Sequence, residues 1–180
     1  MDTVYQWIAG IPPLVPQVLG ILAVATFLLS YQQKSRRGII ALNVTSRILY
    51  ILQYCLLFAF SGAVLDVLGA IVSVVAAKKN TGFLARHKRA AVITANIVIL
   101  AVGLLLYDGP LSLLPIPGVL LHTGAFWLDD ERRIRRLSLL GSPFWFIYNL
   151  GSRAYGSAAG DLLTMISILI AMLRYRKEQI

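Results

Sequence analysis

The stretch AAVITANIVILAVGLLLY, from Ala90 to Tyr107, decides the fold of this chain. It holds eighteen residues without a charge, and Lys88 and Arg89 stand directly before it. As a helix with a rise of about 1.5 Å per residue it would be about 27 Å long. That length is close to the thickness of the hydrocarbon core of a bilayer. The stretch therefore predicts a membrane-spanning helix.

The composition extends this interpretation to the whole chain. Of its 180 residues, 58% are hydrophobic and 14% are charged, whereas a soluble domain carries about a quarter charged residues. We therefore predict a single integral membrane domain over residues 1–180, with the lipid bilayer as its main partner. The net charge of +9 could indicate nucleic-acid binding. However, the basic residues lie in short loops between apolar runs, which is typical of membrane proteins, and we expect no nucleic-acid partner.

Six further apolar runs predict an all-α protein with seven transmembrane helices. The predicted spans are 14–31, 38–60, 63–77, 90–107, 111–128, 137–153 and 157–173. A very tight turn is predicted at Ser61 and Gly62, between the second and third spans. Prolines in the first part of the fifth span predict a kink or a late start. Gly141 and Pro143 predict an interruption of the sixth span.

The distribution of basic residues indicates the orientation of the chain in the membrane. If the N-terminus is outside, the inner regions 34–37, 78–89, 132–136 and 174–177 hold three, five, four and three Lys or Arg, which is fifteen of the seventeen in the chain. Basic residues accumulate in cytoplasmic loops. The sequence therefore predicts an outer N-terminus and a cytoplasmic C-terminus.

The order of features before and after the central span is the same. Each half has a span, a basic loop, a second span, a tight turn and a third span with an early Asp, and Ala63–Asp66 lies opposite Ala158–Asp161, 95 residues later. Two directly joined copies of three spans would be inverted, and one extra span between them makes the copies parallel. We therefore predict a 3+1+3 parallel repeat. Its parts are a first repeat over 14–77, a linker helix over 90–107 packed against one half, and a second repeat over 111–173.

This order resembles the SWEET/PQ-loop (MtN3-like) superfamily, which also includes the PnuC vitamin transporters. More closely, QQKSRRGIIALN (Gln32–Asn43) and FWFIYNLGSRAYGSAAGDLLTMISILIAMLRYRK (Phe144–Lys177) resemble the bacterial inner-membrane protein family typified by YgjV. The resemblance implies a SWEET-like fold and a multi-pass location in the bacterial inner (cytoplasmic) membrane, but it brings no settled activity. The Pro-Gln pair that kinks SWEET helices is absent from the second span, although Gln53 and Pro143 are present. That departure argues against a SWEET-type gate and against sugar as the substrate.

The second span carries polar residues on one helical face. These residues, spaced three and four apart, are Asn43, Ser46, Arg47, Tyr50 and Tyr54. Arginine near the centre of a membrane helix costs about 2.5–3.5 kcal/mol, so Arg47 should face the bundle interior or a wet cavity. One interpretation is a binding site for a small polar or anionic solute, anchored by Arg47. The alternative is a structural pair of Arg47 with a carboxylate or with carbonyl groups.

The sixth span shows the same spacing and is the repeat partner of the second. Its polar face consists of Ser138, Ser142, Trp145, Asn149 and Ser152. We expect the two polar faces to meet between the halves, near the middle of the membrane. Asn149 could then hydrogen-bond a solute, Ser142 could add a hydroxyl and Trp145 could stack on it. The alternative for this face is hydrogen bonding and packing between helices.

Three further ionisable residues lie within predicted spans. Asp66 and Asp161, early in the third and seventh spans, are candidate coupling carboxylates, ion-pair partners of Arg47 or Arg153, or charges favoured by the helix dipole. His122 in the fifth span is either a proton carrier or a hydrogen-bonded interior residue. We find no motif for a metal, a cofactor or a catalytic set in the sequence.

These patterns favour a small polar-solute transporter that works by alternating access between its two three-helix halves. The alternative is a structural or partner-binding membrane protein without transport activity. We do not expect an enzyme. The sequence is compatible with a homo-oligomer and does not identify the solute.

Overall fold

The computed structural model describes residues 10–174, and this part of the chain is helical, without a strand. Its helices are α1 Leu14–Gln32, α2 Arg36–Leu56, α3 Phe60–Ala77, a short α4 Gly82–Arg86, α5 Lys88–Leu105, α6 Pro115–Phe126, α7 Glu131–Gly151 and α8 Tyr155–Arg174. A 3₁₀ turn, Pro110–Leu113, precedes α6. Predictions for the two ends of the chain, including the basic tail at Arg176 and Lys177, lie outside the described residues.

Five of these helices are long and apolar enough to cross a membrane, namely α1, α2, α3, α5 and the segment Tyr155–Leu173 of α8. Two of the predicted spans do not belong to this set. The segment Pro110–Phe126, which contains α6, is apolar but shorter. Helix α7 has 21 residues, but it begins with the charged run Glu131–Arg136. Of the two outcomes predicted for the fifth span, the structure shows the late start, because α6 begins at Pro115, where a proline costs no helical hydrogen bond.

The turn between α2 and α3 lies earlier than predicted. Helix α2 ends at Leu56, and the predicted extension to Phe60 is wrong. Phe58 has the left-handed φ of 55°, and the N–H of Ala59 bonds to the Tyr54 carbonyl at 2.9 Å, which closes the helix end. Ser61 and Gly62, predicted as the turn, lie in the first turn of α3 instead. Backbone N–H groups there have no partner within the helix, and the Gly62 N–H bonds to the hydroxyl of Tyr148 at 2.9 Å.

Helix α7 also differs from its predicted span. It begins at Glu131 rather than Leu137, because the Asp130 side chain caps it by accepting a bond from the Arg132 N–H at 2.8 Å. The predicted interruption is wrong as well, since the helix continues through Pro143 to Gly151. Membrane helices tolerate an interior proline when neighbouring helices and serine side chains satisfy the freed backbone groups.

Six helices form a closed ring in the order α1, α2, α3, α6, α7, α8 and back to α1. Helix α5 lies outside this ring and contacts both α3 and α6. The prediction that the linker helix packs against one half is therefore wrong, since α3 and α6 belong to different predicted halves. The contact forms at Gly103, where the missing side chain leaves room for Ile116. Ile99 and Gly103 are the buried residues of α5, and most of its surface faces outward.

The two turns that follow α2 and α7 have the same backbone geometry. Phe58 and Arg153 are the two non-glycine residues with positive φ, at 55° and 60°, in the described part of the chain. After each of them an N–H bonds back by five residues, Ala59 to Tyr54 and Ala154 to Asn149, at 2.9 Å in both cases. Both bounds of α7 lie 95 residues after those of α2. The two helices and their turns therefore correspond in register.

Two hydrogen bonds, the crossed bonds, join the first three ring helices (α1–α3) to the last three (α6–α8). The Ser157 hydroxyl of α8 donates to Oε1 of Gln53 in α2 at 2.6 Å. The Gly62 N–H of α3 donates to the hydroxyl of Tyr148 in α7 at 2.9 Å. Positions 53 and 148, and positions 62 and 157, are again 95 residues apart. The same kind of contact thus closes the ring on both sides.

Gly160 sets the distance between α8 and α1, because a Cβ atom there would overlap the side chain of Val24. Valine is stiff at χ1 and has no flexible end that could move aside. We expect Gly160→Ala to lower the free energy of unfolding by about 1–2 kcal/mol, overpacking outweighing the gain in helix propensity. Unfolding by SDS in mixed micelles measures this. Gly124→Ala is the control, since its Cβ would find an ordinary contact at 3.9 Å from Leu137. Equal stabilities of the two variants would contradict the close packing.

Candidate solute-binding site

Arg47 lies in the middle of α2, and 3% of its side chain is exposed. Its Nη1 forms an ion pair with Asp66 of α3, and its Nε donates to Oδ1 of Asn43 at 3.1 Å. Gly69 makes room for the guanidinium, because a Cβ atom there would collide with it. Of the interpretations open for Asp66, the structure therefore shows the ion pair with Arg47. Arg153, the other candidate partner, lies in the turn after α7.

Asp161 holds the position in α8 that Asp66 holds in α3, since each is the seventh residue of its helix. Its Oδ2 accepts a hydrogen bond from Nδ2 of Asn149 at 2.8 Å. The Oδ1 of Asn149 in turn accepts from the hydroxyl of Tyr54 at 2.8 Å. A polar chain therefore runs from α2 through α7 to α8. Within residues 10–174, no Lys, Arg or His forms an ion pair with Asp161.

Aromatic rings form one wall beside these polar groups. The rings of Tyr50 and Tyr54 stack with centroids 6.1 Å apart, and Tyr54 stacks on Trp145 at the same distance. Phe27 of α1 meets Tyr50 at 6.5 Å and His122 at 5.7 Å. Rings from α1, α2, α6 and α7 therefore meet at one place inside the ring of helices.

These groups enclose a cavity of about 20 Å³. It is lined by Phe27, Ser46, Arg47, Tyr50, Tyr54, Asp66, His122, Trp145, Asn149 and Asp161. A volume of this size holds about one water molecule. The expectation that the polar faces of α2 and α7 lie opposite each other matches this lining. A solute larger than water would require the helices to separate.

Not every candidate residue lies at the cavity. Asn43 does not line the cavity, and its Oδ1 accepts the hydrogen bond from Nε of Arg47. Ser142 does not line it either, and its hydroxyl donates to the Ser138 carbonyl of its own helix at 3.1 Å. His122 lines the cavity and its Nε2 donates to the same carbonyl at 2.9 Å. Two lining residues were absent from the predicted site. Phe27 is apolar and gives no signal in the sequence, whereas Tyr54 was visible on the polar face of α2.

A second cluster of polar groups, with one half-buried and one buried cation, lies at the basic end of the bundle. Nη2 of Arg36 donates to the carbonyls of Ala76 and Phe126, at 2.6 Å each. The Nζ of Lys79 is fully buried and donates to the carbonyls of Trp127 and Leu128, at 2.6 and 2.7 Å. These cations therefore tie the ends of α3 and α6 together, as positive charges at helix C-termini do.

Lys79 also pairs with Asp129, at 2.6 Å between Nζ and Oδ1. The hydrogen bond from Lys79 is the main cause that lowers the pKa of Asp129 below its usual range. Burial lowers the pKa of Lys79, and the hydrogen bond to Asp129 opposes that shift. The sequence predicted a basic loop here, but it did not indicate that the side chain of Lys79 would be buried against the carbonyl groups that follow α6.

One comparison with known proteins identifies a relationship. A family model described as bacterial inner membrane protein, Imp-YgjV, matches residues 14–179. No curated protein and no solved structure matches the chain. The matched range includes every helix described above and every residue at the cavity. Within the described residues, no three His, Cys, Asp or Glu side chains come together as metal ligands.

Proposed function

As a member of the Imp-YgjV family of bacterial inner membrane proteins, the chain lies in that membrane, and we propose that it transports a small polar solute across it. Its inner-membrane location rests on the family and on five helices of membrane-spanning length and hydropathy. The observation that carries the transport proposal is the cavity between α2 and α7. Buried ionisable residues in membrane helices mark solute and ion pathways, and here Arg47, Asp66 and Asp161 meet at one cavity.

The proposed architecture is a 3+1+3 parallel repeat of seven spans, as in the SWEET/PQ-loop superfamily. Helices α1–α3 form one half, α6–α8 form the other, and α5 is the single span between them. The matching turns at Phe58 and Arg153 and the crossed bonds 95 residues apart support the repeat. The 3₁₀ turn before α6 lengthens that span, and the charged start of α7 lies at the membrane surface.

The proposed orientation has the N-terminus outside and the C-terminus in the cytoplasm. The contacts of Arg36 and Lys79 with the ends of α3 and α6 support it, because they gather basic residues at one end of the bundle. At the other end the turns around Phe58, Asp108 and Ser152 line one common depression. Cytoplasmic surfaces carry the excess of Lys and Arg.

Transport in this proposal is alternating access without covalent chemistry, so no enzymatic role is proposed. We assign the cavity of about 20 Å³ to a state that is closed on both sides, because every residue that lines it is buried. The solute enters when the two halves separate at one end of the ring and leaves when they separate at the other. The halves meet at the seams α1–α8 and α3–α6, and rocking at these two seams is the motion that the proposal requires.

A structural role without transport is the competing function, and the small volume of the cavity favours it. Uptake by the purified protein decides between the two functions. Sugars, amino acids, nucleosides and other small polar solutes are screened for a rise in Tm, and those that bind are tested for accumulation in proteoliposomes. We expect at least one solute to raise Tm and to accumulate in proteoliposomes.

We also expect the Asn149→Ala variant to bind this solute about ten-fold more weakly than the wild type, which corresponds to loss of about one hydrogen bond.

Asn96→Ala is the matched control, because Asn96 is exposed on the outward face of α5. It should leave both the shift in Tm and the uptake unchanged. A screen in which no solute raises Tm would contradict the transport proposal. So would an Asn149→Ala variant that responds to the solute as the wild type does.

A further inference from the structure

Among the described residues, the charged groups around the cavity leave one carboxylate, that of Asp161, without a cation. Arg47 and Asp66 neutralise each other in charge, and the remaining Nη2 of Arg47 is buried without a hydrogen-bond partner among the described residues. Asp161 is 6% exposed and receives one neutral hydrogen bond, from Asn149 to Oδ2. A buried carboxylate is costly unless a proton or a cation neutralises it. At Asp161 a negative charge is therefore left without a cation. At Arg47 the charge is already paired, and Nη2 needs only a neutral hydrogen-bond acceptor, such as a hydroxyl group of the solute.

The aromatic lining determines which kind of cation fits. Tyr50, Tyr54 and Trp145 form a stack with rings nearly parallel, at 16° and 13° between successive planes, and Phe27 stands beside it. The faces of aromatic rings attract cations, and alkylated ammonium groups are recognised by several rings together. A metal ion would need more oxygen ligands than a single carboxylate and an amide provide. Rings next to one free carboxylate are instead suited to an organic ammonium.

From this arrangement, and on the basis of the transport function proposed above, we infer that the solute is a small organic cation. Its ammonium group binds between the carboxylate of Asp161 and the rings of Tyr50, Tyr54 and Trp145. The present volume of about 20 Å³ does not admit such a cation, so binding accompanies separation of the helices. Asp161, and not Arg47, is then the charge that selects the solute.

A pair of isosteric probes tests the inference on the full-length protein in lipid nanodiscs. Choline carries a trimethylammonium group, and 3,3-dimethylbutan-1-ol has the same shape with a neutral carbon in place of the nitrogen. Methylammonium is a smaller cation, and 3,3-dimethylbutanoate is the anionic member of the series. Binding is followed by the rise in Tm and by tryptophan fluorescence. We expect choline or methylammonium to bind saturably, and the cation that binds to do so at least about ten-fold more tightly than the neutral alcohol.

Substitutions of two aspartates test whether the cation binds at the cavity. Asp161→Asn should weaken binding of the cation by about ten-fold or more, whereas Asp108→Asn, which removes an exposed carboxylate in the turn before α6, should leave it unchanged. The comparison of the probes uses the wild-type protein, so the test holds even if Asp161→Asn does not fold. Equal binding of the cations and the neutral alcohol would overturn the inference and leave Asp161 as a protonated carboxyl group.

Two further results separate this inference from the proposed function. If neither cation binds but a neutral or anionic solute binds and depends on Asn149, the cation inference is overturned and the transport proposal stands. If no solute of any charge binds, both are overturned.

Discussion

Replacing Arg47 with methionine is expected to lower the free energy of unfolding by about 3–5 kcal/mol. The substitution removes the guanidinium and leaves Asp66 buried without its cation, at 4% side-chain exposure. It also leaves Oδ1 of Asn43 without its donor. Unfolding by SDS in mixed micelles, followed by tryptophan fluorescence, measures the change.

The double variant Arg47→Met with Asp66→Leu separates two contributions to stability. One is the cost of a buried carboxylate without a cation, and the other is the net contribution of the ion pair. An apolar pair of similar volume often replaces a buried ion pair without loss of stability. We therefore expect the double variant to recover most of the stability lost by Arg47→Met. If the double variant is as unstable as the single one, the ion pair itself stabilises the fold and the explanation by an unpaired charge is wrong.

Replacing Lys79 with methionine is expected to lower the free energy of unfolding by about 2 kcal/mol, because hydrogen bonds from a charged donor to Trp127 and Leu128 are lost. Methionine keeps most of the volume but supplies no donor. The same SDS titration measures the loss. Lys78→Met is the matched control, since Lys78 is exposed next to Lys79 on the chain. A loss of similar size in both variants would show that the buried ammonium has no special role.

Part of the Lys79 effect depends on pH through Asp129. The folded protein lowers the pKa of Asp129, chiefly through the hydrogen bond from Lys79, so the ionised carboxylate stabilises the folded state. This contribution is present above the usual carboxyl pKa of about 4 and is lost as the pH falls through the lowered value. The difference between wild type and Lys79→Met should therefore shrink on acidification. Because 68% of the Asp129 side chain is exposed, the pH-dependent part is small.

The cluster at Lys79 also matters for the proposed cycle. Its hydrogen bonds cross the seam between α3 and α6, at the end that we place in the cytoplasm. Any state that is open to the cytoplasm at this seam must break them. Lys79→Met should therefore favour the inward-open state, whereas the exposed Lys78 makes no such contact.

The helices and their polar faces could be predicted because both depend on simple periodicities. Apolar runs of membrane length predicted the existence of α1, α2, α3, α5 and α8, although the predicted end of α2 was four residues late. The spacing of three and four also predicted that Arg47 and Asn149 face the bundle interior, which is where both are buried. In a membrane, the polar stripe of an apolar helix faces the protein interior, because exposure of polar groups to lipid is costly.

The details that could not be predicted depend on contacts between distant parts of the chain. The sequence offered both Arg47 and Arg153 as partners for the aspartates, and the pairing is decided by the close approach of α2 and α3 at Gly69. The position of the turn between α2 and α3 depends on the left-handed conformation of Phe58, a residue type that rarely adopts it. Burial of Lys79 depends on the carbonyl groups of Trp127 and Leu128, which follow α6 and are 48 and 49 residues away in sequence.

Accessibility of the cavity from both sides of the membrane tests the central claim most directly. Ser46→Cys places a thiol at the cavity, and Cys55→Ser first removes the chain's single cysteine. A membrane-impermeant methanethiosulfonate is applied to cells with a permeabilised outer membrane and to inverted inner-membrane vesicles. Ser73→Cys, buried in α3 away from the cavity, is the unreactive control. Alternating access predicts that Ser46→Cys reacts from both sides. No reaction, or reaction from one side alone, would contradict it.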